Sequence, residues 1–291
     1  MKNRLFSFFN TVCLVLTGFF LVGTGYVWLG TVTVARQQQE IDDIGVVSYH
    51  DIQGMTDDVQ QPTVEEISSE ERVPIDSNEN RVEEPERIDA PAHEPAPLLS
   101  LDKIPKKINL AVPFTSQAPE KNWDQPWQDA CEEAAVLMVD AYYEGFGLSP
   151  LFAKDEIVKL LAYEEQFAWG GSIEIEKIDQ MFQYWSLVPQ LSSRVLENPT
   201  VEDIKQQVAS GRPVLVVADG KVLPNKYFQN GGPAYHALVV RGYTEDSFIT
   251  NDPGTQFGEN LLYTYDDLMN SIRDWNGGDV KNGKRAVLVF E

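Results

Sequence analysis

Between Leu5 and Ala35 the chain carries no charged residue. A helix of roughly 20 apolar residues crosses a bilayer, and this run of Phe, Leu, Val, Gly and Trp is longer. Lys2 and Arg4 precede it, while Arg36 and then the acids Glu40, Asp42 and Asp43 follow it. The positive-inside rule puts such an N-terminus in the cytoplasm and everything beyond it outside. A cleaved signal peptide ending near Thr33-Val34-Ala35 is the competing reading. Its apolar region would span about 7–15 residues, so the length favours a retained single-pass anchor over residues 1–36. Both readings export the remainder of the chain. Cys13, which has no lipobox around it, reads as an ordinary membrane residue.

The next segment, residues 37–103, has no sustained periodicity and holds stretches such as "EEISSEERVPIDSNENRVEEPERIDAPAHEPAP". Such a composition buries too little apolar surface to fold. It is expected to form an acidic, disordered tether, spanning roughly 45 Å as a flexible coil and more under self-repulsion. The formal charge of the whole chain is −22, which argues against nucleic acid as a partner. Only residues 104–291 remain to build a globule.

In that part, residues 130–144 read as a helix with Cys131, Ala134, Ala135, Met138, Val139 and Tyr142 on one face. Further helices are expected near 152–162, 173–186, 200–210 and 265–273. Buried strands are expected at "PVLVVAD", "HALVVRGY", "SFITND" and "RAVLVF", with another in "INLAVPF". Helices come first and strands later without regular alternation, which predicts an α+β domain on a mainly antiparallel sheet.

The chain has two cysteines and three histidines. Cys13 lies in the apolar run, and His50 and His93 lie in the tether, so the globule holds one of each: Cys131 and His236. This is no disulfide-stapled module, and no Cys/His spacing suits zinc; no metal or other cofactor is expected. With Asp129 as N-cap and Glu132 completing a capping box, Cys131 would sit in the positive end of the helix dipole, which favours a thiolate. Ordinary core packing is the alternative for a cysteine on an apolar face. His236 opens a strand after "NGGPAY" and is the one imidazole able to take a thiol proton there. A hairpin through "TEDS" would return Asp252 to His236, where its carboxylate could hold Nδ1–H. For an oxyanion donor, the side chains of Gln117 and Gln125 compete, beside the Cys131 backbone N–H. Trp169-Gly170-Gly171 could line a cleft, while Phe182, Tyr184 and Trp185 read as core.

The segments "VPFTSQAPEKNW", "ACEEAAVLMVDAYY" and "HALVVRGYTEDSFITNDPGT" resemble, in order, the peptidase C39-like family of bacterial extracytoplasmic proteins, related to papain-like cysteine peptidases. The resemblance covers about residues 110–291. It implies a papain-like fold in which a helical half carrying the nucleophile packs on the sheet. It further implies Cys131 as nucleophile, His236 as general base and acid, Asp252 as the orienting carboxylate and Gln117 as the oxyanion-hole donor. Glu132 stands where the toxin-exporter branch has Gly, so processing of leader peptides is not implied. The Gln117-to-Cys131 interval is longer than in many relatives. The expected function is a membrane-tethered cysteine peptidase acting on peptides or proteins, including cell-envelope peptides. A catalytically silent binding module on a stalk, or an acyltransferase or amidase acting on cell-wall peptides, are the alternatives.

Overall fold

The computed structural model describes residues 38–39, 41–49, 51, 98–100 and 103–291. The chain divides into two compact units, Met1–Val46 and Val47–Glu291. In the first, the described residues include helical turns at 38–39 and 41–44. The run Leu5–Ala35, with the expected membrane anchor, lies outside the described residues. Among the described residues no helix is long and apolar enough to cross a membrane.

The second unit is α+β. Among the described residues seven strands form one sheet: β1 (Ile108–Asn109), β2 (Ser193–Glu197), β3 (Val214–Ala218), β4 (His236–Tyr243), β5 (Ser247–Asn251), β6 (Leu261–Thr264) and β7 (Ala286–Phe290). Their order is β2-β7-β3-β4-β5-β6, every pairing is antiparallel, and β1 adds to β4 at Gly242 and Tyr243. All eight residues of β4 are buried, because β3 and β5 flank it and helices cover the sheet. A strand covered in this way needs no polar alternation, which is why "HALVVRGY" reads as an unbroken apolar run. Strand β6, and β2 with its polar "SRVLE", lie at the two ends of the order and carry no such run.

Among the described residues five α-helices accompany the sheet: α1 (Cys131–Glu144), α2 (Pro150–Gln166), α3 (Ile175–Trp185), α4 (Val201–Ala209) and α5 (Tyr265–Ser271). Local chemistry sets their ends. Ser149 caps α2 by accepting from Phe152 N–H, with Pro150 at the first position, where its missing N–H costs nothing. Thr200 and Asp203 form a reciprocal capping box on α4. Helix α1 stops at Gly145, which takes the left-handed φ of 77° that a side chain would disfavour. Residues 131–143 of α1 are all buried, Glu132, Glu133 and Asp140 among them. The helix is enclosed on every side, so its weak amphipathicity follows from its place in the core.

Three expectations change. Asp129 does not cap α1: it ends a short 3₁₀ turn (Trp127–Asp129), the N-cap is Ala130, and no side chain caps the helix. Glu132 is therefore free of the expected capping box. Parts of the segment read as a free tether are docked. Val47 bridges to Leu110, and the Tyr49 ring lies 4.8 Å from that of Tyr143. Leu99 exchanges two hydrogen bonds with Ser210 and Gln206. Residues 52–97 of that segment lie outside the described residues. Finally, Phe182 is core, but Tyr184 is 62% exposed. It stacks on Tyr163 at 4.2 Å between ring centres, so an aromatic residue next to the core finds a neighbouring ring instead of the interior.

Candidate active site

The hairpin of β4 and β5 determines what meets at the sheet edge. Val239 lies opposite Asn251, so His236, before the paired region, and Asp252, just after it, emerge at the same edge. The pairing slips between Val240 and Gly242. Buried Arg241, at this bulge, donates to Asn109 Oδ1 at 3.0 Å, to the Leu110 carbonyl and to Asn251 Oδ1 at 3.2 Å. Asn251 Nδ2 in turn donates to the Val112 and Pro113 carbonyls at 3.0 and 3.2 Å. These bonds join the end of β5 to the segment that leads to Gln117.

Asp252 has no exposed surface, yet four donors meet its carboxylate. Oδ1 accepts from His236 Nε2 at 2.7 Å and from Gly254 N–H at 2.9 Å. Oδ2 accepts from Asn225 Nδ2 at 2.9 Å and from the Tyr263 hydroxyl at 2.6 Å. Burial alone would raise this carboxyl, but the His236 charge and these hydrogen bonds outweigh it and hold Asp252 below its ordinary value. The imidazole therefore meets Asp252 through Nε2, where Nδ1 was expected. The Phe228 ring meets the imidazole edge-on at 5.2 Å. Gly254 has to be glycine here: a Cβ would lie 2.8 Å from both His236 Cε1 and Phe228 Cε1.

Cys131 is the first residue of α1 and is 5% exposed. Its sulfur approaches the backbone N–H of Ala237, the residue next to His236. Its thiol hydrogen goes to Glu132 Oε2 at 2.8 Å. Burial pushes the thiol well above its ordinary value, and the charge and hydrogen bond of Glu132 push the same way; the Ala237 N–H opposes them and is outweighed. Burial and Glu132 thus favour the neutral thiol over the thiolate expected from the helix dipole. Glu132 is itself raised to about 8, first by burial, and its Oε1 accepts from Ile173 N–H at 3.3 Å.

Gln117 is buried beside this edge, with its N–H on the Pro253 carbonyl at 3.0 Å. Its side-chain amide donates to the Trp127 and Gln128 carbonyls at 2.8 and 2.9 Å. Both amide hydrogens are thereby used, which ties the segment before Cys131 to the loop carrying Asp252. Gln125, the competing donor, gives its amide to Asp129 Oδ2 at 2.7 Å. Among the described residues no group of three or more His, Cys, Asp or Glu side chains is arranged to hold a metal ion.

The model of the Peptidase_C39 like family matches residues 109–278. The chain belongs to that family. A crystal structure from Bacillus anthracis, described as a C39-like peptidase, is similar at 16% identity and a TM-score of 0.44, covering 64% of this chain and 98% of that one. None of the curated proteins compared matches.

In this C39-like domain the sequence reading did not find Asn225, Tyr263 or Gly254 around Asp252. Their only trace is a Gly directly after "DP" and a Tyr inside "LLYTY". Glu132 in "CEE" was expected to complete a capping box, and no role was expected for Glu133. The signal available was their place inside an otherwise unbroken apolar helix.

Proposed function

We propose that this chain is a cysteine peptidase that works outside the cytoplasm from an N-terminal membrane anchor. Cys131 would be its nucleophile, His236 its base and acid, and Asp252 the carboxylate that orients the imidazole. The observation that carries this reading is one sheet edge: Asp252 holds His236 Nε2 at 2.7 Å, and the Cys131 sulfur lies against the N–H of the following residue, Ala237. Family membership supports a peptide as substrate. The anchor rests on the uncharged run from Leu5 to Ala35 and the charges flanking it.

In this mechanism the Cys131 thiol leaves Glu132 and gives its proton to His236 Nδ1. The sulfur then attacks the peptide carbonyl carbon. The C–N bond breaks as the imidazolium protonates the departing amine, leaving a thioester. Water, deprotonated by the same nitrogen, attacks the thioester; the acid product leaves and the thiol re-forms. Asp252 keeps Nε2–H in place throughout, so the tautomer is fixed before substrate arrives. The carbonyl oxygen that becomes an oxyanion needs donors. In the first turn of a helix the N–H groups have no intrahelical partner. Those of Glu132 and Glu133 serve their own carboxylates, and that of Cys131 is the donor left for the oxyanion. Gln117 supports the helix start in place of the expected direct contact.

The test is turnover of a mixed peptide library by the full chain. Cys131→Ala is expected to abolish cleavage and to remove the iodoacetamide label from the globule, leaving Cys13 as the one thiol of the chain; cleavage at an unchanged rate in that variant removes the proposal. One observation favours the second reading, a silent binding module: the thiol is buried and hydrogen-bonded to Glu132, both of which favour its neutral form. That module would retain cell-envelope peptides equally well with or without Cys131 and would cleave none. The acyltransferase alternative uses the same residues and is separated by adding an amine acceptor and looking for its conjugate among the products.

A further inference from the structure

A pair of exposed aromatic rings stands beside the imidazole. Phe257 is 68% exposed and Tyr227 39%, and their ring centres lie 5.2 Å apart. Each belongs to a stretch of chain that packs on His236. Tyr227 precedes Phe228, whose ring meets the imidazole edge-on. Phe257 follows Gly254, the glycine against His236 Cε1, by three residues.

Neither ring is on a loose loop. Asp252 N–H donates to the Gly258 carbonyl at 2.9 Å, so the chain closes on itself between these two residues and carries Phe257 in the closure. Inside it Thr255 is buried, and its hydroxyl accepts from Phe257 N–H at 3.2 Å. The Gln256 amide donates to the Ser116 hydroxyl at 2.9 Å and to the Ala118 carbonyl at 2.6 Å. Tyr227 is held through Asn225, whose Oδ1 accepts from Tyr227 N–H at 2.9 Å and whose Nδ2 donates to Asp252. Both frames thus hang on the carboxylate that orients His236. A large ring kept in water on a fixed frame gains apolar burial when a ligand covers it, and little ordering opposes the gain.

The chemistry of the edge says which part of a peptide covers these rings. His236 protonates the departing amine in the peptidase reading, so the residue after the broken bond lies on the imidazole side of the sulfur. The Lys226 ammonium is 5.0 Å from the Tyr227 ring centre, and it repels a cationic side chain brought to the same place.

We propose that Tyr227 and Phe257 form a specificity subsite for an uncharged apolar or aromatic side chain on the residue directly after the cleaved bond. The inference rests on the peptidase reading, which sets the direction of the bound peptide.

The test has two arms, both on the full chain in detergent micelles. In the first, a mixed peptide library is digested and the new N-terminal residues of the products are read by mass spectrometry. Phe, Tyr, Trp and Leu are expected there about tenfold more often than Lys or Arg, the scale of partly burying one large apolar side chain. Phe257→Ser should lower that ratio, and Phe257→Ser with Tyr227→Ser should bring it to about one. In the second arm, calorimetry on the Cys131→Ala variant compares the amides of Phe-Gly-Gly and Lys-Gly-Gly, which are products of such cuts. The first is expected to bind about tenfold tighter and to lose that advantage when both rings are replaced. Cleavage without preference at this position, or a preference that survives loss of both rings, overturns the subsite and leaves the peptidase reading standing. A library left uncut, with an amide preference that needs both rings, overturns the peptidase reading and leaves the rings as an apolar peptide site. An uncut library together with equal amide affinities overturns both.

Discussion

Cys131 gives its thiol hydrogen to Glu132 Oε2, 2.8 Å away on the next residue, and not to His236. Two effects compete for this sulfur. A helix N-terminus stabilises a negative group by up to about 2 kcal/mol. Full burial can shift an ionisable group by about 3–5 pKa units, roughly 4–7 kcal/mol. Burial therefore wins, and the neighbouring carboxylate adds to it.

Removing that carboxylate should free the thiol. Glu132→Gln keeps the shape and loses the charge that Glu132 carries above about pH 8, so the pH midpoint for alkylation of Cys131 by iodoacetamide is expected to fall by about one unit, with the rise in rate, up to about tenfold, confined to the range between that value and the midpoint. An unchanged pH profile would show that Glu132 does not set the thiol's acidity.

Asp252 is expected to matter twice. Asp252→Ala removes the acceptor for His236, Asn225, Tyr263 and Gly254 together and should destabilise the domain by about 3–5 kcal/mol, read from urea unfolding. Asp252→Asn preserves the shape and should fold better, yet lower peptide turnover by a factor of roughly 10²–10⁴ through a wrongly held imidazole. Wild-type turnover in the Asn variant would remove Asp252 from the mechanism.

Gly254→Ala tests the close approach behind the imidazole. A Cβ at 2.8 Å from His236 Cε1 forces the ring or Phe228 to move, at about 1–3 kcal/mol of overpacking. Turnover should fall further than the loss of stability alone explains, because the displaced ring is the reacting one. Full activity together with normal stability would contradict the packing described.

The buried acids give stability a definite pH slope. Burial raises Glu132 to about 8, and it raises Glu164 to about 7 from an ordinary value near 4.5. Between those limits the folded chain binds more protons than the unfolded one, so stability falls as pH rises. The expected slope is about 1.4 kcal/mol per pH unit for each group that stays protonated across the window. Chemical denaturation at pH 5, 6.5 and 8 reads it; stability that is flat or increasing over that range would be inconsistent with these carboxyls being buried. Asp252, held low, contributes oppositely, with stability lost only as pH drops through its depressed value.

The sequence alone was enough for the α+β class, for four of the buried strands and for the helix that opens at Cys131, because apolar periodicity and length report burial directly. It also singled out Cys131 and His236 as the one thiol and imidazole of the globule, a matter of counting residue types, and the hairpin argument brought Asp252 to His236. Tertiary structure alone decided which ring nitrogen Asp252 holds and which donors surround that carboxylate, since Asn225 arrives from a loop 27 residues away and Tyr263 from the neighbouring strand β6. It also turned "CEE" from a helix cap into a buried cluster of a thiol and two carboxyls. Local pattern places acids at a helix start on electrostatic grounds; whether water reaches them depends on what packs over that end of α1, and Glu164, Ile173 and Ala237 are contributed by other elements.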